Sequence, residues 1–298
     1  MSAQVSEFAQ YLKQSAAEVD KALDRFLPKE KTSPTTIHKA MRYSIFAGGK
    51  RLRPILALAA AEACGGDHQK AMPAACAVEV MHTYSLVHDD LPCMDDDDLR
   101  RGRPTCHKVF GDGMAVLCGD ALLTESFLIL AETTPTSRYK SQCFTRELAM
   151  TGGSRHLIGG QVLDLEGEGK ALSKADLLKI HKAKTAALLT TSLRLGAMAV
   201  NATPAKLEAL TTFGQCLGLA FQIIDDILDV TQPTEILGKT AGKDAKVDKA
   251  TYPAVVGLDA SRKEAANLTK KALAALEPFG KNAHRLREIA SFLLVREY

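Results

Sequence analysis

The chain has 298 residues and a mass of 32.1 kDa, with 46% hydrophobic and 24% charged residues. That is enough for a sizeable core and too apolar for a largely disordered chain. Lys and Arg number 38 against 35 Asp and Glu, a formal net charge of +3, so balanced that nucleic acid is not an expected partner.

The N-terminal stretch MSAQVSEFAQYLKQSAAEVDKAL mixes charge with apolar residues and holds no signal-peptide apolar core. Within it Phe8, Leu12, Val19, Leu23 and Phe26 keep close to a 3.6-residue period, which predicts a first helix. The most apolar run, 52–61, is too short to span a bilayer and contains Pro54. Seven cysteines are widely spaced without a CxxC, which fits reduced thiols better than a zinc site or a disulfide framework. The expectation is a cytoplasmic protein with no stable membrane association.

Breaks are predicted at Gly65-Gly66-Asp67, at 101–105, 133–137, 166–171 and 232–247, and at Pro278-Phe279-Gly280. Ser173 with Asp176 resembles a capping box opening a helix whose apolar positions include Leu177, Ile180, Leu188 and Leu195. Thr203-Pro204 places an N-cap before a proline at the first helical position, starting a helix that runs toward Val230. No long linker or internal repeat interrupts the pattern. The reading is therefore one domain over residues 1–298, all-α, a large bundle of about ten or more helices.

Two acidic clusters carry the chemistry. The first runs His88-Asp89-Asp90-Leu91-Pro92-Cys93-Met94-Asp95 and continues through Asp98; the second is Gln222-Ile223-Ile224-Asp225-Asp226-Ile227-Leu228-Asp229. Asp225 and Asp229 stand at i and i+4, so they share a helix face, with Gln222 one turn earlier on it. Like charges so placed cost about 0.2–0.5 kcal/mol per pair, and far more when buried, so a cation is expected to compensate them. Clusters of oxygen donors without His or Cys suit hard cations such as Mg²⁺. Six aspartates and three arginines lie within residues 89–103. Acid for metal beside Arg for phosphate describes a metal–diphosphate ligand. A second basic group is Gly48-Gly49-Lys50-Arg51-Leu52-Arg53-Pro54.

HDDLPCMDDDDLRRGRPT and FQIIDDILD resemble the two aspartate-rich motifs of the all-trans short-chain polyprenyl diphosphate synthases, most like the bacterial-type farnesyl enzymes. GGKRLRP resembles that family's isopentenyl-diphosphate segment, and the likeness continues through Gly160-Gln161-Val162-Leu163-Asp164, Lys184-Thr185, the stretch 238–244 and the stretch 248–253. The resemblance implies an all-α isoprenoid-synthase bundle with a central substrate cavity, usually a homodimer. It implies an enzyme that condenses isopentenyl diphosphate head to tail with dimethylallyl and geranyl diphosphates to give farnesyl diphosphate. Geranylgeranyl or geranyl diphosphate are the alternative products, and a non-catalytic regulatory subunit is the alternative from another class.

By the same resemblance Asp89, Asp90 and Asp95 would hold Mg²⁺ against the allylic diphosphate, with Asp225, assisted by Asp226 and Asp229, holding another. About three ions per site are implied when diphosphate is bound, with Mn²⁺ as a substitute. Arg100, Lys184 and Lys239, with Lys249 as a weaker candidate, would complete that diphosphate site. Lys50, Arg53, His82 and Arg101 would bind isopentenyl diphosphate. Thr185, Gln222 and Gln161 would stabilise the reaction centre, and Asp164 would orient neighbouring cations. Chain length would be set beside Tyr84 and Ser85, where an aromatic floor favours the fifteen-carbon product. Gly238-Lys239-Thr240 mimics the end of a P-loop, but Pro233 stands where the required glycine would be, so ATP is not expected.

Overall fold

The computed structural model describes residues 3–231 and 251–294. The described residues are helical almost throughout, as expected. In order the helices are α1 (Ala3–Phe26), α2 (Thr35–Ile45), α3 (Leu52–Ala63), α4 (Met72–Asp89), α5 (Cys106–Phe110), α6 (Asp112–Ala131), α7 (Ser141–Gly152), α8 (Leu157–Gly167) and α9 (Lys174–Ile180). A π-helical turn, His181–Ala186, joins α9 to α10 (Ala187–Ala199); then come α11 (Pro204–Thr231), α12 (Tyr252–Val256), α13 (Leu258–Ala275) and α14 (His284–Leu294).

The local signals act as read. Ser173 Oγ accepts from Asp176 N at 3.2 Å and donates to its carboxylate at 2.6 Å, which opens α9. Thr203 Oγ1 accepts from Lys206 N at 3.4 Å at the head of α11. The break at 101–105 becomes a structure of its own. Leu99–Arg100 and Arg103–Pro104 pair antiparallel, the one strand pair among the described residues. Arg101 (φ 55°) and Gly102 (φ 75°) make the two-residue turn, whose positive φ angles match the twist of a tight hairpin. Two-residue strands are too short to show a sequence period, so only the break was visible.

Helices α3, α4, α10 and α11 make the centre, with α6 packed on α4 and α13 on α11. Their buried Ala, Leu, Ile and Val residues join into one hydrophobic cluster. Small residues permit the close approaches: a Cβ at Gly196 would collide with the Ala57 backbone of α3. Arg51 is buried in the left-handed conformation (φ 50°) just before α3. Its guanidinium donates to Glu79 at 2.9 Å, Asp20 at 2.8 Å and the Ile45 carbonyl at 2.7 Å, tying together α1, α2 and α4.

Two helices, α6 and α11, are long and apolar enough to cross a membrane by length and composition alone. The sequence reading weighed only the run 52–61. On α11, half the apolar window is buried in the core; on α6 only 39% is, and Val116, Leu117 and Leu128 are exposed.

Candidate active site

The first acidic motif straddles the C-terminal end of α4 and the loop after it. Asp90 is buried and turned inward to Arg100, whose Nε donates to its two oxygens at 3.0 and 3.3 Å and whose Nη2 also reaches Oδ1. Asp90, expected among the metal ligands, is thus tied up by a cation of its own chain. Asp89 is held differently. Burial pushes its carboxyl up to about 6, with the charges of Asp95 and Asp90 adding and those of Lys184 and Arg100 opposing. The backbone of Asp95 bonds back to the Asp89 carbonyl at 2.8 Å, which holds the two residues together.

Lys184 and Thr185 ride on the π turn. Lys184 Nζ donates to Asp164 on α8 at 2.7 Å, the cation-orienting role expected of that acid. The α8–π-turn contact is tight, because a Cβ on Gly160 would lie 2.5–2.9 Å from the backbone of Ala183 and Lys184. Thr185 Oγ1 donates to Gln222 Oε1 at 3.0 Å, so these two polar residues do meet. The amide of Gln222 donates to Asp226 at 3.0 Å, its neighbour at i+4, rather than lining up with Asp225 and Asp229. Asp226 is only 6% exposed. Asp225 is half-buried and Asp229 exposed, near the C-terminal end of α11.

The basic group also converges. Burial presses the Arg53 guanidinium down to about 10, with Arg101 adding to the push, and leaves its Nε without a hydrogen-bond partner. Burial and the charges of Arg53, Arg101, Arg100 and Arg51 hold the His82 imidazole well below its ordinary range. The Arg101 side chain crosses from the hairpin to the Gly48 carbonyl, and a Cβ on Gly49 (φ 124°) would collide with its guanidinium. Here the glycines of GGK serve the close approach of a cation. Lys50 lies at the edge, its Nζ 5.7 Å from the centre of the Phe292 ring of α14. Arg51, the remaining cation of the segment, faces the core.

Tyr84 is buried on α4, its hydroxyl 3.5 Å from the Gly152 carbonyl of α7 and its ring edge-on to His88. Ser85 bonds its own helix, at the His82 carbonyl. A pocket of about 30 Å³ beside Asp90, Arg100 and Arg101 adjoins the site. A larger cavity, about 690 Å³, opens between α11, α13 and α14, and none of the expected site residues lines it. Lys239 and Lys249, with the predicted break at 232–247, fall outside the described residues. His181, buried at the start of the π turn 3.5 Å from Asp226, was missed by the sequence reading. Its signal was available: it stands three residues before Lys184, in the same helical turn.

Among the described residues no three His, Cys, Asp or Glu side chains converge into a metal site of their own. The half-buried Asp89, beside Asp90 and Asp95, offers oxygen donors and excess negative charge. That set fits an ion such as Mg²⁺, which keeps much of its shell for water and substrate oxygens.

The polyprenyl synthetase family model matches residues 34–289. A chloroplastic geranylgeranyl pyrophosphate synthase of Capsicum annuum is 48% identical over 97% of this chain and 79% of its own length. A chloroplastic heterodimeric geranylgeranyl pyrophosphate synthase large subunit 1 of Arabidopsis thaliana is 50% identical over 89% of this chain and 73% of its own. The solved structure of an FPP/GFPP synthase from Zymomonas mobilis superposes with TM-score 0.84 at 34% identity, covering 97% of this chain and 99% of that one. The cytoplasmic expectation does not stand, because the plant relatives are named chloroplastic. Reduced thiols fit any reducing compartment, so they could not identify which one.

Proposed function

This chain belongs to the polyprenyl synthetase family and is a prenyl diphosphate synthase, and from that premise we propose how it selects and joins its substrates. One domain over residues 1–298 condenses isopentenyl diphosphate head to tail with an allylic diphosphate, and the working unit is a homodimer. The observation that carries this reading is the basic convergence. Arg53, His82 and Arg101 arrive from α3, α4 and the hairpin, with Arg101 seated on the Gly48 carbonyl beside Gly49, and burial together with their neighbouring charges disfavours the charged forms of Arg53 and His82. Such crowding suits a diphosphate that needs no metal, and isopentenyl diphosphate is the substrate whose C–O bond stays intact.

The allylic diphosphate lies on the acidic side, where Mg²⁺, when bound, neutralises charge on the leaving group. Asp89, Asp95 and Asp225 are the residues that would hold about three such ions. Arg100 and Lys184 add fixed positive charge. The allylic C–O bond breaks with its electron pair leaving on the diphosphate. The double bond of isopentenyl diphosphate attacks the resulting allylic cation, and the new C–C bond is followed by loss of a proton to the released pyrophosphate. Thr185 and Gln222 present oxygen dipoles toward the cationic stage, held in place beforehand so that no reorganisation is needed.

The relatives named as geranylgeranyl synthases support a twenty-carbon product. A fifteen-carbon product is the second reading, favoured by one observation, the buried Tyr84 between α4 and α7. Incubation with Mg²⁺, dimethylallyl diphosphate and labelled isopentenyl diphosphate, with products read by mass, decides between them. The dimer reading is supported by the exposed apolar side chains of α6, Val116, Leu117 and Leu128. Sedimentation should give twice the chain mass, and Leu117→Glu should shift it toward the monomer.

A further inference from the structure

We propose that Asp226 is a positioning residue, not a metal ligand: with His181 and the backbone of Tyr252 it orients Gln222 against Thr185 at the reaction centre. This rests on the reading of the chain as a prenyl diphosphate synthase.

Two helices stand in register here. On α11 the residues Gly214, Gly218, Gln222 and Asp226 follow one another at i+4 and form one row. A Cβ on Gly214 would lie 2.8 Å from Thr190 Cα, and one on Gly218 would lie 2.5 Å from Ala186 Cα. The glycines therefore bring α11 backbone-to-backbone against the segment 181–199. The next two members of the row then meet the π turn: Gln222 meets Thr185, and Asp226 meets His181. π-helical turns inside α-helices are rare and recur at functional sites. This one opens with His181 and carries both Lys184 and Thr185.

The hydrogen bonds give the row a direction. Thr185 Oγ1 donates to Gln222 Oε1, and Gln222 Nε2 donates to Asp226 Oδ1, each at 3.0 Å. Asp226 Oδ2 accepts from Tyr252 N at 2.8 Å and lies 3.5 Å from His181 Nε2. The Gln222 amide could turn either its oxygen or its NH₂ toward Thr185, and an acceptor placed at the NH₂ favours the oxygen. Asp226 is that acceptor, and so decides which way Gln222 faces. Burial at 6% exposure, with protein N–H donors on both oxygens, directs this carboxylate into the protein. Tyr252 opens α12, so the same carboxylate ties the first turn of α12 to α11.

Asp226→Asn tests the assignment against Asp225→Asn. With its oxygen kept on Tyr252 N, the introduced carboxamide would set NH₂ against NH₂ at Gln222 and turn that amide away from Thr185. In Asp226→Asn, kcat should fall ~10- to 100-fold, with both diphosphate KM values and the half-saturating Mg²⁺ within ~2-fold of wild type. Mn²⁺ bound per chain in the presence of a bisphosphonate, counted by electron paramagnetic resonance, should equal wild type, whereas Asp225→Asn should lose an ion. Loss of a bound ion in Asp226→Asn overturns the proposal. If that variant does not fold, the His181 pair decides. His181→Leu should lower kcat ~3- to 10-fold, and His181→Gln, which keeps an N–H donor, should recover most of it. Unchanged kcat in His181→Leu overturns the proposal. A wild-type chain that neither condenses the substrates nor binds Mn²⁺ with bisphosphonate refutes the proposed function instead.

Discussion

The acidic and basic halves of the site are built in opposite ways. The acids stand toward the ends of two long helices, α4 and α11, so their spacing is set by the bundle itself. In each pair the second aspartate, Asp90 or Asp226, is buried and taken up by groups of the protein. The cations instead come from four separate places: Lys50 from the turn before α3, Arg53 from the first turn of α3, His82 from α4 and Arg101 from the hairpin after it. In both halves burial disfavours the charged form, with opposite sign. Burial raises the Asp89 carboxyl to about 6 and lowers the Arg53 guanidinium to about 10. A counter-charge brought to either half would oppose that shift.

The comparison is broken most severely on the acidic side. Asp89→Ala or Asp225→Ala should lower turnover by ~10³-fold or more, with the helical circular dichroism unchanged. Retained activity would remove the metal-holding role from these residues. On the basic side the effect should be smaller and confined to one substrate. Arg53→Met removes a charge-assisted contact worth about 1.5–3 kcal/mol, so the KM for isopentenyl diphosphate should rise ~10- to 150-fold. The allylic KM should stay within a few-fold; an equal rise in both would mean that the two halves are not separate sites. Tyr84→Ala should lengthen the main product by at least one five-carbon unit by mass, and an unchanged product rejects the aromatic floor.

The smallest effect concerns stability. The folded-state carboxyl of Asp89 lies above its ordinary value, so its contribution to stability is complete below the usual carboxylate range. That contribution is lost as pH rises through about 6. Asp89→Asn should therefore raise the melting temperature of the metal-free protein by about 2–4 °C at pH 8 and by roughly half as much at pH 5. A rise that is equal at both pH values would show that Asp89 is not the strained group.

Most helices were legible because their ends carry local chemistry. Ser173 and Thr203 cap α9 and α11 where their side chains predict, and the break at Gly65-Gly66-Asp67 separates α3 from α4. The two aspartate motifs were visible because acids set among isoleucines and leucines cannot be indifferent surface. What stayed hidden depends on tertiary approach. Arg51 reads like its neighbours Lys50 and Arg53, but a left-handed backbone turns it into the core. Helical spacing placed Gln222 with Asp225 and Asp229; the glycine row of α11 sets it against Thr185 and Asp226 instead. The π turn leaves no sequence period, and the neighbour of the Tyr84 hydroxyl comes from α7, distant in sequence.

The central claim is that opposed acids and cations let a metal-assisted allylic diphosphate ionise beside a metal-free isopentenyl diphosphate. The direct measurement is incubation of the purified chain with dimethylallyl and isopentenyl diphosphates, with and without Mg²⁺. Release of pyrophosphate together with a prenyl diphosphate of fifteen or twenty carbons, abolished by chelator and restored by added Mg²⁺, is the predicted result. No condensation in the presence of Mg²⁺, or condensation indifferent to chelator, would contradict it.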